Sequence, residues 1–125
     1  MKTALKSIIL ALFFFLPYSV LAYTVNTSSD QNFDISLSDQ TNTIYKTPSI
    51  IYISQITTDS SSLEANPSLW VKTLYYYSIT RLHFADIPYN YLVDSNGQIY
   101  EGRSGEERKN PELKNQEGRV LIEYL

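Results

Sequence analysis

The sequence predicts an α/β domain in which a mixed central β-sheet carries packed helices, and three stretches support this class. Residues 49–54 form a continuous run of β-branched and aromatic side chains, the pattern of a core strand buried on both faces. Asn66-Pro67 has the residue types that begin a helix, which is expected to continue to about Thr80. Residues 89–101 alternate around a turn and indicate a β-hairpin. Strands that flank a helix define the α/β class.

Length and composition limit the chain to one small domain and exclude several classes of partner. A length of 125 residues with 43% hydrophobic content provides for a single core. The net charge of −3 gives no basic patch, so nucleic acid and anionic membrane surfaces are not expected partners. The chain has no cysteine, which excludes disulfides and thiolate ligands, and its one histidine is His83.

The N-terminus has the organisation of a signal peptide that covers residues 1–22. Lys2 and Lys6 supply a positive region, residues 8–16 are almost wholly apolar, and Ala22 ends a short-residue cleavage site. The apolar run is shorter than the roughly 20 residues that a spanning helix needs, and Pro17 interrupts it, so no stable membrane span is expected. We therefore predict an exported protein, periplasmic or extracellular.

Residues 23–47 are rich in Ser, Thr, Asn and Asp, which favour turns over helix. Within this segment Phe33, Ile35 and Leu37 alternate with polar residues, a period-2 pattern that predicts one short, half-buried strand. The segment is therefore either a polar leader or an edge strand, and composition does not decide between them.

The predicted helix and the predicted hairpin each carry a pattern that assigns faces. Trp70, Leu74 and Tyr77 are spaced to share the helix face toward the sheet. In the hairpin, Tyr89, Tyr91 and Val93 fall on one strand face and Asn90, Leu92 and Asp94 on the other. Asn96-Gly97 predicts a two-residue type I′ turn, because both residues tolerate positive φ. Residues 120–125 are expected to form a last strand.

Residues 86–103 resemble the central signature of the peptidoglycan recognition protein family, which includes the type 2 N-acetylmuramoyl-L-alanine amidases. The matching residues run Asp86-Ile87-Pro88-Tyr89-Asn90-Tyr91-Leu92-Val93, then a short Asp/Gly turn, then Ile99-Tyr100-Glu101-Gly102-Arg103. The resemblance implies an amidase 2-like fold over residues 48–125, incomplete at the C-terminal end. It also implies peptidoglycan muramyl peptide as the ligand.

The resemblance further implies where a zinc ion would bind, and the matching positions lack the ligands. Ser54 and Gln55 stand where the family has a His pair, and Ser78 stands where the preceding helix often carries another His. His83 does not match a ligand position, and the family's remaining ligands lie beyond the strand that here reaches Leu125. A catalytic zinc needs three protein ligands, so we expect no cofactor and no metal site in this chain.

The resemblance implies a functional role for three residues. Tyr89 matches a tyrosine whose hydroxyl lies beside the zinc and assists the attacking water, which makes it the catalytic candidate. Asn90 and Arg103 match positions near the ligand groove, which makes them substrate-binding candidates. The alternatives are a half-buried strand tyrosine at Tyr89 and an internal ion pair from Arg103 to Asp86 or Asp94.

Two further carboxylates, Asp94 and Glu101, flank the predicted turn. They resemble an acid–base pair in type, but a position beside a tight turn favours solvated side chains.

Three functions follow from this reading, and whether the chain is an enzyme stays open. The first is an exported module that binds muramyl peptide without catalysis. The second is a zinc-dependent amidase that cleaves the lactyl-L-Ala bond, which the missing ligands oppose. The third is a truncated, inactive copy that would expose a sheet edge. Oligomeric state and stem-peptide specificity are not predicted.

Overall fold

A computed structural model describes residues 23–39, 45–103 and 109–125. The predicted signal peptide, residues 1–22, lies outside the described residues. Among those that are described, no helix has the length and apolarity needed to cross a bilayer. The strands are β1 (Val25–Asn26), β2 (Ile50–Gln55), β3 (Tyr91–Val93), β4 (Ile99–Glu101) and β5 (Arg119–Tyr124), and the helices are α1 (Ser61–Glu64) and α2 (Pro67–Thr80).

The five strands form one mixed sheet in the order β1-β4-β3-β5-β2. β3 and β4 pair antiparallel, with Leu92 opposite Tyr100, while β5 pairs parallel with both β3 and β2. Parallel strands require a crossover connection, and helix α2 lies in the connection between β2 and β3, which β5 separates in the sheet. The predicted α/β class with a mixed sheet is therefore confirmed.

Strand β2 is where predicted, but its predicted burial on both faces is wrong. It pairs with β5 on one side and forms an edge of the sheet. The exposed fractions of its apolar residues are 51% for Ile50, 66% for Ile51, 47% for Tyr52 and 69% for Ile53. An unbroken apolar run identifies a strand, but it does not fix how many neighbours the strand has.

Helix α2 begins as predicted, because the Asn66 side chain accepts a hydrogen bond from the Leu69 N–H and Pro67 occupies the first turn. Its buried face agrees with the prediction at Trp70, which is buried, and at Leu74, which packs against the core, but Tyr77 is 52% exposed. Tyr75 follows Val71 by four residues, and both lie in the core, so the helix is rotated from the predicted orientation.

The hydrophobic core is formed by helix α2, the hairpin, Ile87 just before the hairpin and Phe33 of the N-terminal segment. The Phe33 and Tyr75 rings stack with centroids 4.6 Å apart. The buried members of the cluster are Phe33, Val71, Tyr75, Ile87, Leu92 and Tyr100. The central signature thus supplies three of the six buried core residues as well as candidate site residues.

The N-terminal segment contains an edge strand, but at a different place from the predicted one. Two residues, Val25 and Asn26, pair parallel with β4 as β1. Residues Ile35–Leu37 form a single 3-10 turn, capped by the Asp34 carboxylate, which accepts from the Ser36 N–H. The period-2 prediction was wrong because a local Asp side chain bonds the backbone and competes with strand pairing.

The hairpin is present, and its turn is one residue longer than predicted. Asp94 N–H donates to the Gln98 carbonyl, so three residues form the loop between them. Gly97 has φ +77°, while Asn96 is not among the residues with positive φ. This is a three-residue loop with glycine in the left-handed position rather than a type I′ turn.

Candidate functional site

The candidate site is built around a close backbone crossing between the entry and exit of the hairpin. Gly102 N–H donates to the Asn90 carbonyl at 2.9 Å, and Arg103 N–H donates to the Tyr89 carbonyl at 2.7 Å. A Cβ at Gly102 would lie 2.4 Å from the Tyr89 carbonyl oxygen, so this approach requires glycine. The structure thus brings together the backbones of Tyr89, Asn90 and Arg103.

Asn90 is buried, and its side chain is engaged on both sides. Its Oδ1 accepts from the Leu121 N–H at 2.8 Å, and its Nδ2 donates to the Lys109 carbonyl at 2.9 Å. These bonds connect the residue before β3 to β5, and also to the segment around Lys109 that follows the hairpin. Asn90 therefore positions the backbone around the site, and its substrate contact stays a prediction.

Arg103 forms an internal ion pair, but with neither of the predicted partners. Its Nη1 lies 2.7 Å from Glu112 Oε2, and the Arg103 side chain is 7% exposed. Glu112 also accepts from the Ala85 N–H at 2.9 Å, so the carboxylate is fixed from two directions. The Arg103 Nε is buried with no hydrogen-bond partner. Glu112 engages Nη1 of a group that has five N–H donors, so further donors remain for an acceptor.

Arg103 lines a cavity of about 410 Å³, a size that suits part of a small ligand. His83 lies on its wall after the end of α2, with φ +57°. Among the described lining residues, three carboxylates, Asp39, Glu112 and Glu117, accompany one guanidinium, so this part of the wall is polar and net acidic. The other described lining residues are Phe84, Ala85, Asn110 and Pro111.

A second polar group, at the end of β2, contains a residue that the sequence analysis missed. Glu123 of β5 is 4% exposed, its Oε1 accepts from the Ser54 hydroxyl, and its Oε2 is buried without a partner. Burial, and then the Glu123 charge, raise the pKa of Tyr89 above its ordinary value. The sequence signal for Glu123 is an acidic residue within the otherwise apolar and aromatic run of residues 120–125.

The residues of this second group do not fit a zinc ion. Ser54 is a neutral hydroxyl and is bonded to Glu123, which leaves one carboxylate as a strong ligand, short of the three that a catalytic zinc needs. Within residues 23–39, 45–103 and 109–125, no three His, Cys, Asp or Glu side chains lie close enough together to hold a metal. Ser78, the other position matched to a ligand, is buried on α2.

Asp94 and Glu101, the two carboxylates beside the turn, were predicted to be solvated, and both instead accept hydrogen bonds from the protein. Asp94 is 4% exposed and accepts from the Asn96 and Gln98 N–H groups and from the Tyr100 hydroxyl. Glu101 accepts from the Ser28 N–H at 2.9 Å. Both therefore support the hairpin, because the turn folds its backbone donors onto Asp94 and β1 lies beside Glu101.

The arrangement of sheet, hairpin and helix defines a peptidoglycan recognition protein-like fold. Solved structures of this class align over 80–82% of the chain. One is the Drosophila peptidoglycan recognition protein SD, with a TM-score of 0.64 and 19% identity. Another is the bumblebee peptidoglycan recognition protein SA, with a TM-score of 0.65 and 16% identity.

A third solved structure of this class was determined with a ligand. It is peptidoglycan recognition protein LE in complex with tracheal cytotoxin, a monomeric diaminopimelic acid-type peptidoglycan, with a TM-score of 0.63 and 20% identity. The alignments cover 60%, 60% and 59% of these three chains, so this protein spans about three fifths of their length. No protein-family model and no curated protein matches the sequence. The likeness therefore establishes the fold.

Proposed function

We propose that this protein is an exported module that binds the muramyl peptide of peptidoglycan without catalysis. The fold supports the ligand class, since one structure of this fold is described with a monomeric peptidoglycan bound. A fold does not define a function by itself, so the proposal depends on the side chains at the site.

The observation that carries the proposal is the guanidinium of Arg103 in the cavity wall. Glu112 binds Nη1 at 2.7 Å, and the Arg103 side chain lines the cavity. The guanidinium has five N–H donors, so donors that Glu112 does not use can bind an acceptor from a ligand. A stem-peptide carboxylate or carbonyl is such an acceptor, and Arg103 is held in place before the ligand arrives.

The acidic wall restricts the ligand further. Among the described lining residues, Asp39, Glu112 and Glu117 accompany one guanidinium, which disfavours a purely anionic ligand. A muramyl peptide carries hydroxyl and amide donors as well as carboxylates, so it can bond to the acidic wall and to Arg103 at once. This mixture of donors and acceptors favours a glycopeptide over a simple anion.

The absence of catalysis is proposed from the chemistry of the second polar group. Ser54 and Gln55 are poor zinc ligands, and Glu123 already accepts from the Ser54 hydroxyl. Without a zinc-bound water to assist, Tyr89 has no part in hydrolysis under this proposal, and its hydroxyl is free to act as a hydrogen-bond donor to a ligand oxygen.

The test is co-sedimentation of the purified protein with insoluble peptidoglycan, with and without added zinc and with a chelator. We expect saturable binding that is independent of zinc, and no release of stem peptide. Arg103→Ala should weaken binding by about 10-fold to 100-fold, because a charge-assisted hydrogen bond contributes about 1.5–3 kcal/mol. The matched control is Arg81→Ala, which removes an exposed arginine at the end of α2 and should leave binding unchanged.

Near-ultraviolet circular dichroism of each variant separates loss of binding from loss of folding. If Arg103→Ala unfolds the domain, competition of the wild-type protein by soluble muramyl peptide tests the same site. Folded, monodisperse wild-type protein that stays in the supernatant when peptidoglycan is pelleted would refute the binding function.

Export is tested separately. The mass of the exported protein, expressed from a gene that encodes residues 1–22 as well, tests cleavage after Ala22.

A further inference from the structure

Strand β2 presents an open edge that differs from the opposite edge of the same sheet. β1 is two residues long, whereas β2 is six residues long and, within the part of the chain that the structure describes, pairs on one side. Natural sheets protect such edges with charge, proline, bulges or short strands. Residues 47–58 contain no Asp, Glu, Lys, Arg or His, and the proline in this range, Pro48, precedes the strand.

The backbone of β2 shows which groups face outward. The Ile56 N–H donates to the Tyr124 carbonyl on the β5 side. Because N–H and C=O directions alternate along a strand, those of Ile51, Ile53 and Gln55 point away from the sheet. Ile51 and Ile53 also have the most exposed side chains of the strand, at 66% and 69%. The edge therefore offers backbone hydrogen bonds and apolar contact together.

We propose that two copies of this protein associate through their β2 edges, in an antiparallel pair centred on Tyr52. In this register Ile51 of one copy lies opposite Ile53 of the other, and the outward backbone groups of these residues bond to each other. The two-fold symmetry gathers four isoleucines on one face and places the two Tyr52 side chains side by side on the other. The two five-stranded sheets then form one continuous sheet.

A second copy fits this edge for two reasons. The strand is uncharged, so no like charges meet when it pairs with itself, although the whole chain carries −3. An isologous pair also consumes the whole β2 edge, so association closes at a dimer. The interface covers on the order of hundreds of Å² rather than the roughly 1,200 Å² of a stable complex, so we expect micromolar, concentration-dependent pairing.

Sedimentation velocity of the purified protein over a dilution series tests the association. The wild-type protein should shift from monomer to dimer with concentration. Tyr52→Lys should stay monomeric, because it places two ammonium groups opposite each other, and so should Tyr52→Glu. Mixing these two variants should restore the dimer, since the opposed charges then attract. Ile35→Lys, at a 60% exposed position outside β2, is the control and should dimerise like the wild type.

The register is tested by a disulfide, which the absence of native cysteines makes unambiguous. Opposed residues of a non-hydrogen-bonded antiparallel pair have Cα atoms about 4.5 Å apart, within disulfide range. Tyr52→Cys should form a covalent dimer under mild oxidation. Tyr77→Cys, at similar exposure on α2, should not. A monomer at all concentrations, open-ended assemblies, or equal cross-linking of the two cysteine variants would overturn the proposal.

Discussion

Strands β2 and β5 lie side by side, are both six residues long and are both rich in apolar residues, yet their environments are opposite. They pair in register from Ile50 opposite Arg119 to Gln55 opposite Tyr124. β5 has a neighbour on each side, and Leu121 is 2% exposed, while Ile53 of β2 is 69% exposed. Composition therefore specifies a strand, while topology decides whether its side chains contribute to stability.

The largest expected contrast comes from truncating one side chain in each strand. Leu121→Ala should lower the free energy of unfolding by about 2–5 kcal/mol, because it leaves a cavity in packed surroundings. Ile53→Ala should cost less than about 1 kcal/mol, since its side chain loses little burial. Urea denaturation, at a concentration where sedimentation shows monomer, measures both values.

Equal losses from the two substitutions would contradict the exposed position of β2 in the monomer. A loss at Ile53 that grows with protein concentration would instead report burial by a second copy, in line with the proposed β2 pair. The same pair of variants therefore tests both the fold and its association.

The next effect concerns the bond that connects β5 to the hairpin. Asn90→Ala removes the acceptor of the buried Leu121 N–H and one donor to the Lys109 carbonyl. We expect a loss of about 1–3 kcal/mol, the cost of an unsatisfied buried donor. Hydrogen exchange should quicken at residues 120–124. Asn96→Ala, at an exposed turn position, is the control and should stay within about 0.5 kcal/mol of wild type.

Unchanged stability of Asn90→Ala would mean that water replaces both bonds, and it would contradict the positioning role of Asn90. Peptidoglycan co-sedimentation of the variant separates that role from the predicted substrate contact. A stability loss without a change in the affinity of the folded fraction supports the positioning role.

The fold was predicted most reliably where the signal was local. Asn66-Pro67 determined the start of α2, because a cap and a first-turn proline act within one turn of helix. The position of β2 depends on pairing with β5, nearly seventy residues away in sequence, which residues 49–54 do not encode. The hairpin lies between these cases, since Gly97 marked the turn while Asp94 determined its length by accepting from two loop N–H groups.

The candidate site was predicted in part for the same reason. The central signature named Tyr89, Asn90 and Arg103, and the crossing at Gly102 brings their backbones together. The partners of those residues come from other segments. Glu112 follows the hairpin and Glu123 lies in β5, so their roles depend on long-range packing rather than on a local pattern.

The smallest expected effect is a pH-dependent one inside the hairpin. The Tyr100 hydroxyl donates to Asp94 at 3.0 Å, and burial together with this carboxylate raises the pKa of Tyr100 to about 12. An unfolded tyrosine titrates near a pKa of about 10, so the folded state holds the proton more tightly. The resulting stabilisation is complete below about pH 10 and is lost as the pH rises through about 12.

Tyr100→Phe isolates this contribution. It should cost about 1.5–3 kcal/mol at neutral pH, because it removes a hydrogen bond to a charged group. The difference from wild type should shrink as pH increases above about 10, since the wild-type protein alone loses the Tyr100 contribution. Tyr77→Phe, on the exposed face of α2, should show neither effect. A variant as stable as the wild type at neutral pH would show that Tyr100 stabilises the hairpin by ring packing, which phenylalanine retains, rather than through its hydroxyl proton.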